Sequence, residues 1–485
     1  MNMSRVHTTA IAKQNRYAAR SRVRNADLIV PEAFVRGIRH LGYQTNVEAL
    51  AELVDNSIQA YAEAIDIVFS FQETDVGRTP SQIAIIDDGH GMDPAMMRIA
   101  LMWGGTHREN DREGLGRFGY GLPCAAVSIG RRFTIYSKTK GHRLHAVSLD
   151  VDAVASSSGL ASRKIAIPAA QPAILPPFLR RAIRQAHPAG WRAGTIIVID
   201  NLDRLDWSTA SGLKRNLIRR FGVTYHKLLS ATRLTIDETA VRPIDPLFLN
   251  PDAELIDLDE DRAVALDPVS FKLHTSEGRI GEVVLRYAWI PPSFAAADKS
   301  RDAVGLNANA RFPIIKQYHG VIFSRNGRLL AVQPRTPWTI FMNNDRYIRV
   351  EVEFSAALDE AFGVTTSKQQ VSVSPEMWDY LRVAGLNKAI EHLRTKVREA
   401  KSARLAQEPL VAPPSTRITP QTRISRTSGI PRGITPAQAL AILLDEIDSR
   451  SSASRPAVQA AYRGLLNGWL ERMGSSASTS RQSRT

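Results

Sequence analysis

Three short segments in the first quarter of the chain constrain its fold more than any other feature: ELVDNSIQA at 52–60, DDGHGM at 87–92 and GRFGYGL at 116–122. From Asn46 to about Ala64 the apolar residues Val47, Leu50, Ala51, Val54 and Ile58 recur at helical spacing, so Glu52 and Asn56 stand one turn apart on one helix face. IDIVFS (65–70) and QIAIID (82–87) are rich in branched residues and predict strands, the second running straight into Asp87 and a glycine turn. The third segment sets Gly116, Gly119 and Gly121 directly before LPCAAVSIG, a predicted helix, and RRFTIYSK and HAVSLD then form a predicted strand pair. Helices and antiparallel strands mixed in this way predict an α+β sandwich with helices over one face of a sheet.

Each segment offers a distinct chemistry. A carboxylate such as Glu52 can orient and deprotonate a water, and an amide oxygen one turn on, at Asn56, can coordinate a Mg2+ that bridges phosphates. The same spacing also fits a solvated helix face. Asp87 is a carboxylate at a strand terminus, able to accept a charge-assisted hydrogen bond. Glycines at 116, 119 and 121 let backbone N–H groups approach phosphate oxygens at a helix N-terminus, where negative charge is favoured. No Gly-Lys-Ser/Thr follows, so this is not a P-loop, and the upstream strand and ribose-binding acid of a dinucleotide fold are missing.

In order and spacing the three segments resemble the GHKL ATPase superfamily, which includes gyrase B subunits, the ninety-kilodalton heat-shock chaperone, MutL and MORC proteins, and sensor histidine kinases. The resemblance covers roughly residues 33–400. It implies ATP and Mg2+ as ligands, Glu52 as general base, Asn56 as metal ligand and Asp87 as acceptor for the adenine amine. By the same match Gly89, Gly91 and Met92 shape the adenine pocket, and Gly116, Phe118, Gly119, Gly121 and Leu122 form the phosphate loop below a lid at 103–115. Thr195, in AGT at 193–195, resembles the hydroxyl that supports the adenine-binding Asp, with Asp55 and Gln59 as supporting candidates. Lys368, in GVTTSKQQV, resembles the transducer lysine that reaches the γ-phosphate; a solvated surface lysine is the other reading. The implied fold is a Bergerat-type two-layer α/β sandwich, a transducer-like α+β domain and a helical C-terminal tail. Closest in layout are compact prokaryotic MORC-like or chaperone-like ATPases, since a sensor kinase usually has Asn where Glu52 stands and MORC-type zinc fingers need more cysteines.

These matches, with the composition and periodicity of the ends that fall outside them, divide the chain into a basic flexible arm (1–28), an ATP-binding domain (29–235), a transducer-like domain (236–406), a Pro/Ser/Thr/Arg-rich linker (407–434), a helical hairpin (435–473) and a disordered tail (474–485). A single helix is predicted from about Glu376 to Ala406, and Arg325 and Arg328 in SRNGR are expected to decorate a hairpin. The net charge of +15 sits at the ends: residues 1–40 hold eight Lys/Arg against two acids, and 401–485 hold twelve against five. Such ends suit contact with a polyanion such as nucleic acid, and equally serve solubility. No apolar run approaches the roughly 20 residues of a membrane span. The lone Cys124, expected in a core, excludes an internal disulfide framework, and a cytoplasmic setting follows. The expected activity is Mg-dependent ATP hydrolysis by a homodimeric, ATP-gated clamp on nucleic acid or protein. The alternatives are a non-catalytic or weakly hydrolysing nucleic-acid-binding scaffold and a histidine-type protein kinase.

Overall fold

The computed structural model describes residues 45–74, 77–105, 119–156, 167–207, 209–275, 278–298, 308–364 and 371–407, together with 11, 12, 14, 15, 34, 37–39 and 43. The described residues belong to one compact unit that ends at Gln407. The expectations for most of the basic arm, and for the linker, hairpin and tail from 408 onward, lie outside the described residues.

Helix α1 (Asn46–Gln59) starts at Thr45, whose hydroxyl accepts from the Glu48 amide at 3.2 Å. It is shorter than the periodicity suggested, because the chain leaves the helix at Ala60 and Tyr61 takes a positive φ of 59°. Leu50, Leu53 and Val54 are buried, each contributing about 1.5–3 kcal/mol. Next come the antiparallel hairpin β1 (Ala64–Thr74) and β2 (Gly77–Asp87), then α2 (Pro94–Ala100), α3 (Gly121–Ile129), β3 (Gly130–Lys138) and β4 (His145–Asp150). The chain continues through α4 (Val151–Ser156), β5 (Gln171–Pro172), α5 (Pro177–Ala186), β6 (Gly194–Leu202), α6 (Ala210–Thr224), β7 (Arg233–Ile236) and β8 (Thr239–Ala240).

These strands form one eight-stranded sheet in the order β5-β4-β3-β6-β2-β1-β7-β8, antiparallel except where β7 lies parallel to β1. The two-residue side-chain period divides β2 between two cores. Ile83 and Ile85 join α1, α3 and α6, whereas Ala84 and Ile86 meet Leu179 and Ile183 of α5 on the opposite face. Helices therefore cover both faces, not one: α5 is amphipathic and needs an apolar surface, and the branched residues on the far side of β2 and β6 provide it.

A second sheet, in the order β12-β11-β13-β10-β9, contains β9 (Val264–His274), β10 (Ile280–Trp289), β11 (Val321–Arg325), β12 (Arg328–Gln333) and β13 (Ile348–Phe354). The short α7 (Phe312–Gln317) precedes β11, and α8 (Pro375–Val383) and α9 (Leu386–Gln407) close the unit. Leu381, Ile390 and Leu393 of these last helices pack on Phe323, Val352 and Phe354. The expected single helix is two, because Gly385 breaks it at a φ of 92°. Helix α6 serves both cores: Leu213, Leu217 and Phe221 pack in the first and Val223 in the second.

The hairpin from β11 to β12 turns through Asn326 and Gly327, with φ of 47° and 82°, the two positive values that an Asn-Gly turn supplies. Its arginines are not surface decoration. Arg325 is 3% exposed and pairs with Asp359 at 2.6 Å; Arg328 is 2% exposed and reaches back to Asp55 of α1 at 2.8 Å. Arg39 is likewise buried, its guanidinium held by the Val127 carbonyl and Asp203.

Candidate functional site

Helix α1 and the turn after β2 meet at Asp87, which is 5% exposed. Its Oδ1 accepts from the backbone amides of Gly89 and Thr195, both at 3.0 Å, and its Oδ2 accepts from the Ser57 hydroxyl at 3.0 Å. Burial pushes the carboxyl up to about 6, against the pull of those three donors, so it is mostly ionised at neutral pH. Thr195 thus contacts Asp87 through its amide; its hydroxyl lies 3.0 Å from the Ser137 hydroxyl, and Ser137 Oγ accepts from the Met92 amide at 2.8 Å. Trp191 Nε1 donates to the Asp87 carbonyl at 2.7 Å.

Two glycines here are forced by space and by backbone angle. Gly91 has φ of 71°, and a Cβ on it would lie 2.0 Å from the Lys138 carbonyl oxygen. Gly194 has φ of 135°, and a Cβ there would lie 2.0 Å from the Asp87 carbonyl oxygen. Neither position admits a side chain. Asp88, less buried than Asp87, turns the other way and accepts from the Glu63 and Ala64 amides, both at 2.9 Å.

The Glu52 carboxylate stands against the first residue of α3. Glu52 is 3% exposed, and Gly121 approaches so closely that a Cβ on it would fall 1.9 Å from Glu52 Oε1. The N-cap of α3 is Tyr120, whose side chain makes no capping hydrogen bond, and a helix N-terminus of this kind favours negative charge. Gly119 has φ of 66° and packs on Gly105, and Leu122 lies against the first core. Asn56 is half-buried one turn beyond Glu52. Cys124, on α3, has its thiol pushed up to about 11, first by burial and further by the Glu52 charge, with Trp103 opposing. It is half-buried at the site and not a fully enclosed core residue.

Beneath α1, Asp55 is fully buried. Arg328 Nε donates to its Oδ1 at 2.8 Å, and the Tyr225 hydroxyl lies 2.9 Å from the same oxygen and 2.8 Å from the Ala51 carbonyl. Burial works against the Arg328 charge, but Asp55, Tyr225 and Glu52 more than offset it and leave its pKa raised. Removing one partner of a buried pair of this kind costs about 3–5 kcal/mol, because the other charge is left uncompensated.

The structure therefore sets Gly121 against Glu52 at the middle of α1 and gathers Asp87, Gly89, Gly91, Met92 and Thr195 beside Ser57 near its C-terminal end, with Asn56 next to Ser57 in the helix. Gly116, Phe118 and the lid from 106 onward lie outside the described residues, as does Lys368. Among the described residues no group of three His, Cys, Asp or Glu side chains could hold a metal ion, so a Mg2+ here needs ligand phosphates and water beside the Asn56 amide. That donor set suits an ion which keeps several waters.

A family model described as histidine kinase-, DNA gyrase B- and HSP90-like ATPase matches residues 43–176, the stretch that holds Glu52, Asn56, Asp87 and the glycines. The chain carries a GHKL ATPase domain. Human ATPase MORC2 is 35% identical over 91 residues, 19% of this chain and 9% of that protein. Protein MICRORCHIDIA 6 of Arabidopsis thaliana is 29% identical over 90 residues, 19% of this chain and 13% of that protein. The matched stretch thus spans about a tenth of the length of these curated relatives. GHKL domains bind ATP, and the contacts around Asp87 and Asp55 involve residues to which sequence reasoning assigned no role there: Ser57, Ser137, Trp191, Gly194, Tyr225 and Arg328. Ser57 lay inside the first motif, but nothing in sequence connects it to Asp87.

Among the described residues no helix is long and apolar enough to cross a membrane.

Proposed function

We propose that this chain binds ATP with Mg2+, hydrolyses it, and works as an ATP-gated dimeric clamp. The observation that carries the reading is that one helix, α1, sets the buried carboxylate of Glu52 against the first residue of α3 and holds Asp87 through Ser57. Asp87 Oδ2 accepts the adenine amine, and that charge-assisted bond selects the base. The first amides of α3 and the glycine loop before it hold phosphate. Glu52 takes the proton from the attacking water, and the surrounding apolar core keeps other water away. The Asn56 amide would hold Mg2+, which supplies charge neutralisation on the phosphates when bound.

Lys368, in the segment between Val364 and Val371, reports γ-phosphate occupancy to the second domain. The clamped cargo is nucleic acid or protein, and the basic ends favour nucleic acid. MORC-type relatives named as ATPases support the activity. Glu52→Ala should lower ATP turnover at least a hundredfold while nucleotide affinity stays within a few-fold, measured by phosphate release and by titration with a fluorescent ATP analogue. Turnover at the unmutated rate would remove Glu52 from the role of base.

A further inference from the structure

Asp55 lies three residues beyond Glu52 on α1, and the second sheet holds it from below. Asp55 and Arg328 are both buried and are joined at 2.8 Å across 273 residues of sequence. The Tyr225 hydroxyl ties the same carboxylate to the carbonyl of Ala51, the residue before Glu52. The hairpin that delivers Arg328 is itself anchored. The Gly327 amide donates to Glu353 Oε1 at 3.0 Å, and Lys227, just after α6, holds Glu351 at 2.7 Å and Glu353 at 3.0 Å. Arg286 of β10 completes that cluster with both glutamates. The charged cluster on β10 and β13 thus holds the backbone of the β11–β12 hairpin at Gly327, and the next residue, Arg328, reaches the underside of α1.

Stability does not require such a pair, since well-packed apolar residues of similar volume often do as well or better. What the pair supplies is position: a planar guanidinium aimed at one carboxylate fixes the rotation of α1 about its axis. The hydrolytic carboxylate rides on that rotation.

We propose that Arg328, contributed by the second sheet, is a positioning residue for ATP hydrolysis, acting through Asp55 to set the place of the Glu52 carboxylate. Movement of the second sheet then reaches the water-activating group directly. The inference rests on Glu52 being the base.

The test uses the full chain and three forms, Arg328→Gln, the double replacement Asp55→Leu with Arg328→Met, and Glu52→Gln. Turnover is measured per nucleotide-binding site, with sites and affinity titrated by a fluorescent ATP analogue and stability followed by thermal melting. The double replacement removes the ionic link without leaving either member of the Asp55–Arg328 pair as an uncompensated charge, so it stays measurable if Arg328→Gln fails to fold. Positioning predicts that both Arg328 forms lose tenfold or more in kcat per site, with nucleotide Kd within threefold, even where the double replacement melts as high as the unmutated chain. A double replacement that folds and turns over at the unmutated kcat per site overturns the proposal and leaves Arg328 a structural residue. Glu52→Gln separates the two readings: at the unmutated rate it defeats the base assignment and this proposal with it. A slow Glu52→Gln beside a normal double replacement defeats this proposal alone.

Discussion

Gly121→Ala is the smallest change that reaches the chemistry. A Cβ at this position would lie 1.9 Å from Glu52 Oε1, 2.5 Å from its Cδ and 2.9 Å from its Cγ. Gly121 has no positive φ, so the clash is one of space alone. One of two things must yield. Helix α3 cannot back away readily, since Ala125, Ala126, Val127 and Ile129 are fully buried against the first core. The Glu52 side chain is the softer element, and relief of the shortest contact takes about 1 Å of movement. Misplacing a reacting group by about 1 Å can cost about a hundredfold in rate, near 2.7 kcal/mol of transition-state energy. Overpacking itself costs about 1–3 kcal/mol of stability, within the roughly 5–15 kcal/mol that holds a domain folded. The variant should therefore remain folded with a lower melting temperature. At saturating ATP its kcat should fall by about two orders of magnitude, and the double variant with Glu52→Gln should be no slower than Glu52→Gln alone. Steady-state phosphate release and melting curves check this. A folded Gly121→Ala protein with kcat within threefold of the unmutated chain would refute the placement of Glu52 at the reacting phosphate.

Two further outcomes follow from charge. Burial raises Asp87 from 3.8 to about 6, so the folded state holds this proton more tightly than the unfolded chain does. The group's contribution to stability is then greatest in acid and declines as pH rises through that window, by about 3 kcal/mol in all. Adenine recognition has the opposite sign, because the amine needs the ionised acceptor. Affinity for a non-hydrolysable ATP analogue should weaken as pH falls below about 6, and a flat profile from pH 5 to 8 would count against Asp87 as the acceptor. If the basic ends contact phosphate, the stimulation of turnover by duplex DNA should fall steeply between 50 and 200 mM salt, by about three orders of magnitude in binding constant for six contacts. Salt-independent stimulation would count against phosphate contact by the basic ends.

Much of the first sheet was legible because its residues alternate or recur with clean periods. Ile65, Ile67, Ile83 and Ile85 mark strands, and Leu50, Leu53 and Val54 mark the buried stripe of α1. Strand β9 was not legible: it is a largely exposed edge strand carrying Pro268, which leaves only the short alternation Val269, Phe271, Leu273 after it. The break between α8 and α9 depends on one glycine inside an otherwise helical run. Arg325 and Arg328 flank an Asn-Gly turn, and local sequence favours a hairpin there whatever lies beneath it. Their burial depends on what the hairpin meets, which is Asp359 in one case and a helix 273 residues away in the other.

The sequence by itself determined the class of domain and the chemical types at the site: a helix with carboxylate and amide one turn apart, an acid at a strand end, and glycines before a helix. Those are short-range properties, written in spacing and in the freedom of glycine backbone. Only the tertiary structure decided which groups serve one another. Ser57 and the Thr195 amide meet at Asp87, Gly121 abuts Glu52, and Arg328 braces Asp55 from another core. Such pairings form because buried polar groups must find partners, and the partner is whichever residue the packing of two sheets brings within about 3 Å.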